Sequence, residues 1–150
     1  MKIIRLPILM VALLSLLMTL TARLVTLQGF TFESQFVVAA VLFLFGLIVI
    51  AVSALSFIRA HTTVNPLTPQ ESSALVTSGS YQFSRNPMYI GFFTWLLAVF
   101  AIQANWINIL FLIAFVFLAN AFYIKPEEQA LKTIFGSAYD DYCQRVRRWL

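Results

Sequence analysis

Charged residues divide the chain into apolar runs and two polar segments. Leu6–Ala22 lies between Arg5 and Arg23, Ser34–Ile58 between Glu33 and Arg59, and Asn86–Ile124 between Arg85 and Lys125, each without an internal charge. A helix crossing a bilayer needs about 20 apolar residues, with a range of roughly 17–25. The first run is at the short limit, and Arg23 can extend it by snorkelling outward. The second makes one helix. The third is too long for one span, and its one polar break, Gln103-Ala104-Asn105-Trp106, folds it into a tight helical hairpin. The pattern predicts an all-α, multi-pass membrane bundle, a single domain over 1–150, with spans near 6–26, 35–57, 88–103 and 107–124. A loop over 59–86 and a tail over 125–150 remain. In the tail, Pro126 is expected to open a helix with Glu127 and Glu128 in its first turn, where acids suit the helix dipole. Beyond them Leu131, Ile134, Phe135, Ala138, Tyr139, Tyr142, Val146 and Trp149 recur at steps of three and four. That spacing predicts an amphipathic segment lying in the membrane interface, interrupted at Gly136.

Composition fixes the class. Hydrophobic residues make up 61% of the 150 and charged residues 11%, against about 45–50% and about 25% in soluble domains. A soluble fold of this size cannot hide so much apolar surface, and a disordered chain would be poor in the 15 phenylalanines. Nine of the ten basic residues fall on one side of a four-span topology and only Arg23 on the other. The positive-inside rule then places both termini, the loop and the tail in the cytoplasm, in a bacterial cytoplasmic membrane. Lys2 and Arg5 before an apolar run also look like a signal peptide. Because a second span follows, an uncleaved signal anchor is the expectation. The formal charge of +4 fits a tail against anionic lipid. No nucleic-acid motif, metal site or internal repeat stands out. Cys143 reads as a partly buried small hydrophobe.

Chemistry must sit where loop and tail meet the helix ends. Asn86 and Pro87 in Arg85-Asn86-Pro87-Met88-Tyr89-Ile90-Gly91 make a good helix start, as N-cap and first-turn proline. That account leaves Arg85, Tyr89 and Gly91 unexplained. A helix N-terminus beside an arginine suits a carboxylate or phosphate, and a glycine admits a close backbone or ligand. Physics alone leaves a ligand site and an interfacial anchor equally open. Glu127 and Glu128 directly follow a span, where an acid needs a partner: Arg85 or a cationic ligand.

These pieces, in order, resemble the integral-membrane methyltransferases of the isoprenylcysteine carboxyl methyltransferase and phospholipid methyltransferase superfamily. The resemblance covers about Phe57 to Val146. It runs through Thr62-Thr63-Val64-Asn65-Pro66, Leu75-Val76 to Gly79 and Tyr81, the Arg85–Gly91 signature, a helical hairpin, Glu127-Glu128 then Leu131, and Phe135-Gly136 to Tyr139 and Tyr142. The family's usual Arg-His-Pro is Arg-Asn-Pro here, and Asn cannot shuttle a proton near neutral pH. The resemblance implies S-adenosylmethionine as cofactor. Its carboxylate would go to Arg85 with the helix N-terminal amides, Asn86 and Pro87 belonging to the same cofactor-binding run, its ammonium or ribose hydroxyls to Glu127 or Glu128, its sulfonium to Tyr89 or Tyr81. His61 would reach the adenine or ribose, and Gly91 would let the cofactor approach. Arg85, Glu127 and Glu128 are the residues on which catalysis would depend. The acceptor implied is lipophilic and enters from the bilayer, a prenylcysteine-like carboxylate first, with a phospholipid or amine head group as the alternative. From other classes stand an NADPH-dependent membrane reductase, which has a similar Arg-x-Pro-x-Tyr-x-Gly pattern, and a non-enzymatic membrane adaptor.

Overall fold

The computed structural model describes residues 7–25, 29–60 and 74–150. Among them there is no strand. The elements are α1 (Pro7–Leu24), α2 (Gln35–Arg59), a 3-10 turn (Gly79–Gln82), α3 (Pro87–Gln103), a second 3-10 turn (Trp106–Asn108), α4 (Ile109–Ala119), a π turn (Asn120–Ile124), α5 (Lys125–Phe135) and α6 (Ser137–Arg145). Three continuous helical stretches are long and apolar enough to cross a membrane, namely Pro7–Leu24, Gln35–Arg59 and Trp106–Phe135, and α3 is a shorter apolar helix. The four-helix hydrophobic pattern is therefore realised.

Helices in lipid gain little from hiding apolar surface from one another, so they associate where small residues let them approach. α2 and α3 show this at Gly46 and Gly91. A Cβ built on Gly91 would stand 2.5 Å from Ile50 Cγ1 and 2.8 Å from the Gly46 carbonyl, and one built on Gly46 would stand 2.7 Å from the Gly91 carbonyl. Either methyl would force the helices apart. Trp95 Nε1 donates to the Phe43 carbonyl at 3.0 Å across the same seam, and the Phe43 and Trp95 rings stack at 5.2 Å. The main core lies on the other side of α3, where Val11, Leu14 and Met18 of α1 meet Leu96, Leu112, Phe115 and Ala119. Phe36, Val41, Ile48, Leu110 and Phe117 are left exposed on the outside, as a lipid-facing surface requires.

The expected hairpin turn is present. Ala104 takes a left-handed conformation, φ 47°, and its carbonyl accepts from Phe30 N at 3.0 Å. Asn105 Oδ1 accepts from Ile107 N at 3.1 Å while its Nδ2 donates to the Val25 carbonyl at 2.9 Å, and Gln103 Nε2 donates to Thr19 Oγ1 at 3.2 Å. The polar turn thus ties α3 and α4 to the end of α1. The opposite end of the bundle gathers Pro7, Phe57, Arg85 and Glu127 around one cavity.

Two expectations about the tail are corrected. Pro126 does not open a helix. The helix runs unbroken from Trp106 through Phe135, about 45 Å at 1.5 Å per residue. A proline inside a helix removes one hydrogen bond and crowds the preceding turn. Here the turn before it is widened to the π form, and Lys125 N donates to the Asn120 carbonyl five residues back. Glu127 and Glu128 therefore meet no free helix N-terminus, and the dipole argument for them lapses. The apolar Trp106–Ile124 portion is enough to cross a hydrocarbon core of about 30 Å, so the two glutamates lie just beyond it. Second, the apolar face of the tail is not spent on lipid. Tyr139, Tyr142 and Val146 are buried, with the half-buried Leu75, Leu131, Phe135 and Cys143 packed against them, and Trp149 packs against the main core. The break at Gly136, φ 53°, stands as expected and folds α6 back. Cys143 is half-buried in that cluster, also as expected.

Candidate functional site

The site begins with two local structures. Ser53 near the end of α2 and Ser80 in the 3-10 turn lie 3.0 Å apart, oxygen to oxygen, and Phe57 meets the Tyr81 ring edge-on at 5.2 Å. These contacts hold the turn against the end of α2. Next, Ser84 Oγ accepts from Asn86 N at 3.0 Å, and Pro87 takes the first turn of α3. Asn86 occupies the N-cap position, but its side chain caps nothing. Its Nδ2 donates instead to the Arg148 carbonyl at 3.0 Å, to which Ser84 Oγ also donates at 3.3 Å, and Arg85 N donates to the Arg147 carbonyl at 3.0 Å. The segment after α6 is thus laid along Ser84–Asn86.

Charge is organised around Glu128. Its carboxylate accepts from Arg85 Nη2 at 2.9 Å and from Arg148 through Nη2 at 2.6 Å and Nε at 3.0 and 3.1 Å. The Arg85 and Glu128 side chains are 13% and 15% exposed, so this is a mostly desolvated cluster with two cations on one anion. Of the alternatives for the acids, an Arg85 partner is what Glu128 has. Glu127 faces the other way. It lines a cavity of about 190 Å³ with Tyr81, Arg85, Asn86, Tyr89 and the apolar Pro7, Ile8, Phe57, Met88 and Phe92. Among the described residues nothing donates a hydrogen bond to it. Burial pushes its carboxyl up to about 7, and the neighbouring Glu128 charge adds to the push. Burial likewise pushes the Tyr81 and Tyr142 phenols up, so both stay neutral donors. Tyr142 Oη donates to the Tyr81 carbonyl at 2.7 Å, which fixes one wall of the cavity. Arg85 keeps one buried donor, Nε, with no partner among the described residues.

Of the residues expected at a site, Tyr81, Arg85, Asn86, Tyr89 and Glu127 share the cavity. Glu128 stands behind it, pinned by two arginines. Pro87 starts α3, and Gly91 faces α2, where the close approach it permits is that of the Gly46 backbone. His61 and the Thr62–Pro66 element lie outside the described residues. Sequence reasoning missed Arg148, Ser84 and Phe57. Nothing local in the sequence marks the salt bridge of Arg148 to Glu128, 20 residues away. The chemistry left open by this arrangement is specific. A carboxylate and part of a guanidinium, walled by aromatic rings, suit a ligand end that carries both a positive and a negative group.

A family model described as phospholipid methyltransferase matches residues 34–138. Protein-S-isoprenylcysteine O-methyltransferase B of Arabidopsis thaliana is 35% identical over 88 residues, covering 59% of this chain and 45% of the relative. Protein-S-isoprenylcysteine O-methyltransferase of Dictyostelium discoideum is 33% identical over 112 residues, covering 73% of this chain and 46% of the relative. That of Saccharomyces cerevisiae is 36% identical over 83 residues, covering 53% and 34%. The chain spans about half the length, or less, of these curated relatives. No solved structure matches it.

Proposed function

The chain belongs to the phospholipid methyltransferase family, and from that membership we propose that it is a membrane-embedded methyltransferase using S-adenosylmethionine on a lipophilic acceptor, foremost a prenylcysteine-like carboxylate. The observation that carries this reading is the pairing, in one cavity at the bundle end, of Glu127, to which no described residue donates a hydrogen bond, with Arg85, whose buried Nε has no partner among the described residues. The donor's amino-acid end carries an ammonium and a carboxylate, and its sulfur is a cation. Arg85 Nε suits the carboxylate and Glu127 the ammonium. Tyr81 and Tyr89 present aromatic rings for a sulfonium. Glu128 holds Arg85 in place and leaves Glu127 as the acid that meets the ligand. When bound, the donor supplies an electrophilic methyl group.

A carboxylate acceptor is already nucleophilic, so these residues have to align rather than activate, and proximity supplies the rate. Pro7, Ile8 and Phe57 from α1 and α2 form an apolar wall through which an acceptor tail can arrive from lipid. The excess of basic residues on this side supports a cytoplasmic position for this end. A second reading, methylation of an amine head group, is favoured by the description of the family model and by Glu127 itself. An acid held near 7 can take the proton that an ammonium must lose. Transfer of labelled methyl from S-adenosylmethionine by the protein in lipid vesicles separates the two. Label in a prenylcysteine analogue, released by mild base as an ester, supports the first. Base-stable label in phosphatidylethanolamine supports the second. Label in neither acceptor, from folded protein, rejects both.

A further inference from the structure

We propose that Arg148 is a positioning residue of the donor site, clamping Glu128 so that Arg85 and Glu127 are presented to the cavity. The inference rests on the methyl-donor reading for its purpose, but its geometry does not depend on it. Arg148 reaches both oxygens of Glu128, whereas Arg85 reaches only Oε1. A planar guanidinium that engages both oxygens fixes the plane of a carboxylate, which a single contact cannot do. Its main-chain carbonyl accepts from Asn86 and Ser84 at the start of α3. Arg148 therefore joins three separate pieces of the site: the signature before α3, the acid pair on α5 and the segment after α6. Trp149 beside it is packed into the main core, which seats the clamp against the bundle.

The consequence is electrical as well as geometric. Among the described residues, the titratable groups facing Glu127 are Glu128 on its own helix, Arg85 and Tyr81 before α3, and Tyr89 on α3. The residues that α1 and α2 contribute to the cavity are Pro7, Ile8 and Phe57, all uncharged. Arg148 offsets the Glu128 charge that pushes Glu127 upward. Without Arg148 the Glu127 proton should be held more tightly, and Arg85 should turn toward Glu128 and away from a ligand.

The test is Arg148→Ala against Arg148→Lys in the full chain in detergent. One readout is the infrared band of the protonated Glu127 carboxyl, identified by its loss in Glu127→Gln. The other is equilibrium binding of S-adenosylmethionine. In the native protein the band should titrate near 7. Arg148→Ala should move that midpoint up by about half a pH unit or more, and weaken binding about tenfold, since a lost charge-assisted contact is worth roughly that factor. Arg148→Lys keeps the charge but not the fork. It should restore the midpoint while binding stays weakened. Asn105→Ala, at the far end of the bundle, serves as a destabilised control that moves neither readout. An unchanged midpoint and unchanged binding in Arg148→Ala overturn the inference, as does a shift equal to that in Asn105→Ala. Should the native protein bind no S-adenosylmethionine, the donor reading fails. The infrared midpoint then decides the clamp alone.

Discussion

Two adjacent glutamates should respond oppositely to loss of charge. Glu128→Gln leaves Arg85 and Arg148 facing a neutral amide. Four donor contacts to a carboxylate, at 2.6, 2.9, 3.0 and 3.1 Å, are weakened together. Breaking one side of a buried ion pair costs about 3–5 kcal/mol, because the partner is left uncompensated. Arg148 is 37% exposed, so water recovers part of that, and a loss of about 2–4 kcal/mol is expected. For a chain of this size that corresponds to a fall in Tm of about 5–12 °C. Glu127→Gln breaks no ion pair among the described residues and removes a carboxyl that burial penalises when charged. Its carboxyl is raised above the ordinary range, so the folded state holds the proton that the unfolded state gives up. This group's contribution to stability therefore declines as pH rises from about 4.5 through about 7 and is level above that. Glu127→Gln should lack that decline and be as stable as the native protein, or more so, at pH 8. Thermal unfolding in one detergent at pH 5, 6, 7 and 8, followed by tryptophan fluorescence, reads both variants. A Glu127→Gln protein at pH 8 that melts as low as Glu128→Gln would refute the assignment of different roles to the two acids.

Other expectations follow from single contacts. Gly91→Ala puts a methyl group against Ile50 and the Gly46 carbonyl. It should lower stability by about 1–3 kcal/mol through overpacking, seen as a lower Tm. Tyr142→Phe removes the 2.7 Å bond to the Tyr81 carbonyl and leaves a buried acceptor unpaired. A loss of about 1–3 kcal/mol is expected from a denaturation midpoint. Asn86→Asp replaces the donor to the Arg148 carbonyl by an acceptor. It should weaken donor binding without moving the spans, which circular dichroism and a binding titration check together.

The spans were legible because their signal is local. An uncharged apolar run of sufficient length has one solution in lipid, and Gln103–Trp106 is the one place where the third run can turn. The meeting of Arg85 with the acid pair was legible too, since both flank one hairpin. Four things were not. Pro126 normally reads as a helix start, and only the adjacent π turn lets the helix pass through it. Asn86 reads as a cap by type, but a carbonyl from Arg148 takes its amide. Tyr139, Tyr142 and Val146 have the period of an interfacial helix, yet they bury against Leu75. Periodicity gives the apolar face but not which surface covers it. The division of labour between Glu127 and Glu128 depends likewise on a contact 20 residues distant.

The central claim is that Glu127, when ionised, receives the cationic end of the methyl donor. Equilibrium binding of S-adenosylmethionine to the protein in lipid nanodiscs, measured from pH 5.5 to 7, tests it most directly. That window lies below the range in which a free α-amine titrates. A carboxyl held near 7 is almost wholly protonated at the lower pH and about half ionised at the upper. The account predicts saturable binding that tightens on the order of tenfold across the window, and weak, pH-independent binding in Glu127→Gln. Binding that is equally tight in Glu127→Gln and in the native protein, or that does not change with pH, would contradict it.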